Sequence, residues 1–338
     1  MSVKPVIASC AGTRLDPEER ALFRAERPAG LILFARNCDN PDQLRALVAD
    51  FRDAVDDAEA FILVDQEGGR VARLQPPHWR AMPPAAVYGR MAKTDFVHAA
   101  AALQLASEIV AHELLDVGVN VNCWPVLDVP AAGADSVIGD RAFADDPEIV
   151  ARLGRIAVDA LCNSGVLPVI KHIPGHGRAT VDSHTGRPHV DADIEALYAT
   201  DFRPFEALVD APMAMTAHVV YEALDPELPA TVSPRVIGEA IRGHIGFEGL
   251  LLTDDIAMQA LDGSLAERTR AALAAGCDLV LYCGGDRSEA GMVLDAAEAA
   301  SDDTLARIDA ARARVREPKP VDVANAETRL ATLLAEWA

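Results

Sequence analysis

Eight short apolar runs, each followed by a longer segment with helical spacing, set the tightest limit on how this 338-residue chain can fold. The runs span residues 6–10, 30–34, 61–66, 119–124, 167–172, 212–218, 249–254 and 278–283. GLILF at 30–34 and DLVLY at 278–282 lack the alternation of a half-exposed strand. A strand of that kind is buried on both faces, as in a parallel sheet. The segments between the runs repeat apolar residues every three or four positions, most clearly at 41–52 and 147–158. The first of them has a helix start: Asn40 can cap, Pro41 suits the first turn, and Asp42 suits the positive end of the helix dipole. Eight such alternations predict an α/β fold of the (β/α)8 TIM-barrel type, with an open doubly wound sheet as the alternative. Residues 1–338 are expected to form a single catalytic domain, with additional helices from about residue 302 and a proline-rich break at 318–320. Two long connections, 70–93 and 173–188, are expected to be functional loops.

Charge narrows the partners. Lys+Arg number 31 and Asp+Glu 52, a formal net charge of −21. Such a chain repels nucleic-acid phosphate and anionic lipid, so neither nucleic acid nor a membrane is an expected partner. The apolar run near the amino terminus is too short for a secretory leader, and no later run reaches the roughly 18 apolar residues of a membrane span. The six cysteines form no CxxC pair, and several lie inside apolar runs. Reduced, buried thiols and a cytoplasmic location are expected.

In a parallel barrel the chemistry sits where the strands end. The polar residues expected there are Asp65, Glu67, Arg70 and Arg73 after the third run, Asp128 after the fourth, and Lys171 and His172 at the fifth. His176, Asp182 and His184 come in the next loop, then His218 after the sixth run and Asp254 and Asp255 at the seventh. Desolvating so many charges is costly, so their clustering at one mouth favours a polar ligand. Gly175 and Gly177 let the backbone of that loop come close to a ligand. Asp182 and His184 are two residues apart, and in an extended segment both side chains face the same way. The carboxylate can then hold one imidazole nitrogen and raise the basicity of the other. By itself the Asp-x-His spacing fits a solvated loop better. Asp254 and Asp255 are adjacent and so face opposite ways on a strand. One is a candidate nucleophile, and the other supports it or caps the following helix. A carboxylate nucleophile with a separate acid/base is the pattern of retaining glycoside hydrolysis.

Six ordered motifs carry a resemblance to glycoside hydrolase family 3. They are VDQEGGRV at 64–71, VIGDRAF at 137–143, KHIPGHG at 171–177, VDSH at 181–184, MTAHV at 215–219 and LTDDIAM at 252–258. GLILFARN at 30–37 and AGCDLVL at 275–281 fit as well, and the resemblance spans roughly residues 15–285. The chain looks most like the single-domain bacterial β-N-acetylhexosaminidases of peptidoglycan recycling. The resemblance implies that Asp254 is the nucleophile and His184 the acid/base, oriented by Asp182. It implies that Asp65, Arg73, Arg141, Lys171 and His172 bind sugar hydroxyls and the N-acetyl group. The implied substrate is a muropeptide or oligosaccharide bearing N-acetylglucosamine, cleaved by a monomer without cofactor or metal. Relatives that take their acid/base from a second domain are longer than this chain. Ile173 stands where the family usually has Phe.

Other chemistries fit parts of the pattern. His172, His176, His184, His189 and His218 with an aspartate could ligate a metal, although Pro174 and Gly175 argue against a helical His172/His176 pair. A neutral histidine acid/base repels phosphate less than a carboxylate does, so the same site could pass the sugar to phosphate. A sugar-binding barrel without turnover is the third possibility.

Overall fold

The eight expected strands lie side by side in chain order. The computed structural model describes residues 3–133, 137–179, 181, 183, 186–318 and 321–337. Its barrel strands are β1 (Lys4–Ala8), β2 (Pro28–Leu33), β3 (Phe61–Val64), β4 (Val121–Asn122), β5 (Leu167–Ile173), β6 (Met213–Thr216), β7 (Leu250–Asp255) and β8 (Leu279–Leu281). Each pairs in parallel with its chain neighbours, and β8 returns to β1, with Val6 opposite Val280, to close the ring. This is the expected (β/α)8 barrel.

Outside it lie α1 (Pro17–Glu26), α2 (Pro41–Val55), α3 (Ala85–Thr94), α4 (Phe96–Asp116), α5 (Pro147–Asn163), α6 (Leu265–Ala275), α7 (Arg287–Ala296), α8 (Asp302–Arg312) and α9 (Val323–Leu334). The start read for α2 is present: the Asn40 side chain accepts the Gln43 N–H at 3.0 Å. Between β6 and β7 the Val236–Ile245 segment winds as a π-helix. Among the described residues no helix is long and apolar enough to cross a membrane.

Two sequence expectations need correction. The fourth strand is regular only over Val121–Asn122, shorter than 119–124; its ladder with β5 breaks off there and resumes as a single bridge, Val126 opposite Lys171. The connection 70–93 is not wholly loop. Its second half is α3, which starts at Pro84 without any capping side chain and so carries no start signal in the sequence.

Alternation along the strands separates two apolar populations. Ile7, Ile32, Phe61, Leu63, Val169, Met213, Met215, Leu250, Leu252, Leu279 and Leu281 pack together inside the barrel. Their neighbours Leu31, Ile62, Val64, Ile170, Leu251 and Val280 belong to the larger cluster that includes the helices. There Phe51 of α2 meets Phe23 of α1 edge to face, with ring centroids 5.5 Å apart. At the amino end of the barrel the buried Asp278 carboxylate accepts from Arg242 at 2.9 Å, Arg307 of α8 at 2.8 Å and the Leu251 amide at 2.9 Å.

Helix α3 approaches the segment carrying Arg141 through a glycine. A Cβ at Gly89 would overlap the Phe143 carbonyl oxygen, which is backbone and cannot swing aside. Gly89→Ala is therefore expected to cost about 1–3 kcal/mol through overpacking. A thermal melt reads this directly, and an unchanged Tm would rule out the close approach.

Candidate active site

The inward column of side chains does not stop where the ladder stops. Continuing it by steps of two brings Phe34 above Ile32, Asp65 above Leu63, Lys171 above Val169 and Asp254 above Leu252. These residues line one cavity of about 320 Å3 at the carboxyl end of the barrel. Ile32, Met215 and Leu281 form apolar parts of its wall, and Arg73, Arg141 and His172 complete the polar part. The six described candidates, Asp65, Arg73, Arg141, Lys171, His172 and Asp254, are thus brought together. Asp182 and His184 lie outside the described residues.

A buried ion network occupies one side. Lys171, whose side chain is 2% exposed, donates to Asp65 at 2.8 Å and pairs with Glu67 at 2.7 Å. Arg141 grips Glu67 with two hydrogen bonds of 2.8 Å, and Arg73 reaches the other oxygen of Asp65 at 3.0 Å. Two-pronged contact of this kind is what guanidinium does best. Burial alone would raise both carboxyls, but Lys171 with Arg73 or Arg141 outweighs it and holds both below their ordinary values. Burial would likewise strip the proton from Lys171, and the two carboxylates reverse that. Arg73 also lies 5.2 Å over the Phe34 ring.

The opposite side is built around Asp254. One oxygen accepts the Asp255 N–H at 2.8 Å, and the other lies 3.9 Å from His172 Nε2. Burial would raise its carboxyl, yet His172, His218 and the Asp255 amide bring it below the ordinary value, so it is an anion. Its side chain is 21% exposed, which leaves it open to the cavity. Asp255, which also lines the cavity, accepts the amides of Ala257 at 3.0 Å and Cys283 at 3.1 Å on its carboxylate. It therefore braces the turn after β7, rather than capping a helix.

Three further residues support the site, Asp128 and His218 from behind its lining and His176 within it. Asp128, fully buried, accepts from His172 Nδ1 at 2.7 Å and from the backbone amides of His172 and His176. His176 lines the cavity, and burial together with the adjacent His172 pushes its imidazole down to about 4. His218 donates from Nε2 to the Asp255 carbonyl at 2.9 Å, and burial lowers its proton affinity. Its neutral Nδ1 then accepts from the Thr231 hydroxyl at 2.6 Å. Sequence reading set Glu67 at the barrel mouth, two residues on from Asp65; its contacts with Lys171 and Arg141 come from the structure. Nothing in the spacing singles out the contacts of Asp128.

Comparison with known proteins places this site in a family. The family model of the glycosyl hydrolase family 3 N-terminal domain matches residues 6–317. A beta-hexosaminidase of Alkalilimnicola ehrlichii is 44% identical over 290 residues, covering 84% of this chain and 81% of that one. Native NagZ from Neisseria gonorrhoeae has a similar structure, with a TM-score of 0.88, 31% identity and 98% of each chain covered. The complex of NagZ from that organism with N-trifluoroacetyl-D-glucosamine gives 0.87, again at 31% identity and 98% of each chain.

Acid should undo the site in a defined direction. Asp65, Glu67, Asp128 and Asp254 all lie below ordinary carboxyl values of 3.8 for Asp and 4.5 for Glu, with Asp128 at about 2. A depressed carboxyl stabilises the fold above its unfolded value, and that contribution is withdrawn as pH falls through the folded value. The urea midpoint is expected to fall steeply from about pH 4.5 toward pH 2. Glu67→Gln leaves Lys171 and Arg141 short of an anion and should cost about 3–5 kcal/mol at pH 7. Wild-type stability in that variant would contradict the network.

Proposed function

Because the chain belongs to glycosyl hydrolase family 3, we propose that it is a β-N-acetylhexosaminidase that releases terminal N-acetylglucosamine from peptidoglycan fragments with retention of configuration. It is a glycoside hydrolase by family, and the finer reading rests on one observation above all. The Asp254 carboxylate is an anion open to a polar cavity, with a backbone amide on one oxygen and His172 beside the other. An anchored, ionised and accessible carboxylate is what attack on an anomeric carbon requires.

In the proposed reaction Asp254 forms the bond to the anomeric carbon as the glycosidic C–O bond breaks. His184, oriented by Asp182, gives its proton to the leaving oxygen. Water then attacks the glycosyl ester, His184 takes the water proton, and Asp254 is released. Asp65 accepts from sugar hydroxyls, while Arg73, Arg141, Lys171 and His172 donate to sugar oxygens and the acetamido carbonyl. A cavity of about 320 Å3 suits one acetamido sugar. The beta-hexosaminidase relatives and the N-trifluoroacetyl-D-glucosamine complex of NagZ support the N-acetyl sugar. An anhydro-N-acetylmuramyl aglycone and a cytoplasmic setting follow from the family resemblance.

Hydrolysis of 4-nitrophenyl N-acetyl-β-D-glucosaminide, with the plain β-D-glucoside as control, tests the substrate class. Strong preference for the N-acetyl sugar, unchanged by phosphate or EDTA, is expected. Phosphate-dependent turnover would overturn hydrolysis, and loss with EDTA would reinstate a metal centre. Asp254→Asn should lower kcat by at least about a thousandfold with the fold intact. His184→Ala should slow an unactivated disaccharide far more than the nitrophenyl sugar, whose leaving group needs little protonation. Equal losses on both would remove His184 from the acid role.

A further inference from the structure

Three groups of donors converge on one carboxylate that never touches the cavity. Residues 125–128 run beside the end of β5, with Leu127 N–H donating to the Lys171 carbonyl at 2.7 Å and Lys171 N–H to the Pro125 carbonyl at 3.1 Å. This places Asp128 directly behind His172. One oxygen accepts the His172 amide at 3.1 Å and the His176 amide at 2.6 Å. The other meets His172 Nδ1 at 2.7 Å. The carboxylate is fully buried and ionised, with its carboxyl down at about 2 because His172 outweighs the effect of burial. An ionised carboxylate has no proton to give, so Nδ1 must be the donor.

We propose that Asp128 is a positioning residue for the site: it holds His172 with Nδ1 protonated, so that Nε2 is the nitrogen turned to Asp254 and to the substrate. Which nitrogen of an imidazole carries the proton is set by the partner of the other one. Nε2 lies 3.9 Å from Asp254 Oδ2, too far for a direct hydrogen bond and close enough for a sugar hydroxyl to be shared between them. His176 also lies edge-on to the ring, with centroids 5.6 Å apart. The catalytic consequence rests on the hexosaminidase reading; the protonation pattern does not.

Asp128→Asn separates position from charge. The two backbone amides require an acceptor, so the amide oxygen must face them and the NH2 must face His172. Nδ1 then has to accept, which moves the proton to Nε2. Long-range 15N–1H NMR on 15N-histidine protein, with His172 assigned by its absence in His172→Gln, reads the tautomer in both proteins. Expected are a protonated Nδ1 in the wild type, an unprotonated Nδ1 in Asp128→Asn, and at least a roughly tenfold drop in kcat with Tm little changed. An unprotonated Nδ1 in the wild type overturns the proposal, even if the Asn variant fails to fold. So does wild-type kcat in a folded Asn variant, or the same tautomer in both. Absence of hexosaminidase turnover in the wild type would overturn the proposed function while the NMR result stands by itself.

Discussion

An ammonium group with almost no water around it governs the carboxyl end of this barrel. Lys171 sits inside the column of inward side chains with 2% exposure, where an unpaired charge could not persist. It forces Asp65 and Glu67 to face it, and those in turn draw in Arg73 and Arg141 from separate connections. The result ties β3, β5 and the turn holding Arg141 into one unit. Three cations against two carboxylates leave a surplus of one positive charge (3 − 2) in that unit. Lys171 is among the groups that favour the Asp254 anion. The overall charge of −21 therefore says little about the field inside the cavity.

Much of this was legible in the sequence because a barrel strand has a parity. Once 249–254 is read as a strand, Leu250, Leu252 and Asp254 must share a side, and the apolar partners of that column identify the inside. The same count carries Asp65 and Lys171 into the cavity. Parity loses its hold where the ladder ends. Asp128 lies beyond Trp124–Pro125, in a segment with no periodicity, and only its distances to His172 and His176 give it a role. Glu67 keeps the parity, but its meaning depends on Arg141, 74 residues away in the chain. Helix α3 has no capping side chain to announce it, so its place beside Phe143 emerges only from packing.

The histidines divide by partner rather than by position along the strands. His172 has a carboxylate behind it and a cavity in front, whereas His218 spends both nitrogens on Thr231 and the Asp255 carbonyl. His176 lies edge-on to His172, with ring centroids 5.6 Å apart, and is neutral near pH 7. Three similar side chains thus meet three different surroundings: a carboxylate behind His172, a hydroxyl and a carbonyl on His218, and burial beside another imidazole for His176.

The Asp278 clamp at the far end of the barrel has a bearing on how such a molecule can change over generations. It joins β7, β8 and α8 at the closed end, on the side where barrels keep their footing rather than their chemistry. Connections at the open end can lengthen, shorten or exchange residues while that footing holds. Variation in the connections beyond the buried Lys171 network can then alter ligand choice while the Asp278 contacts keep the far end of the barrel joined.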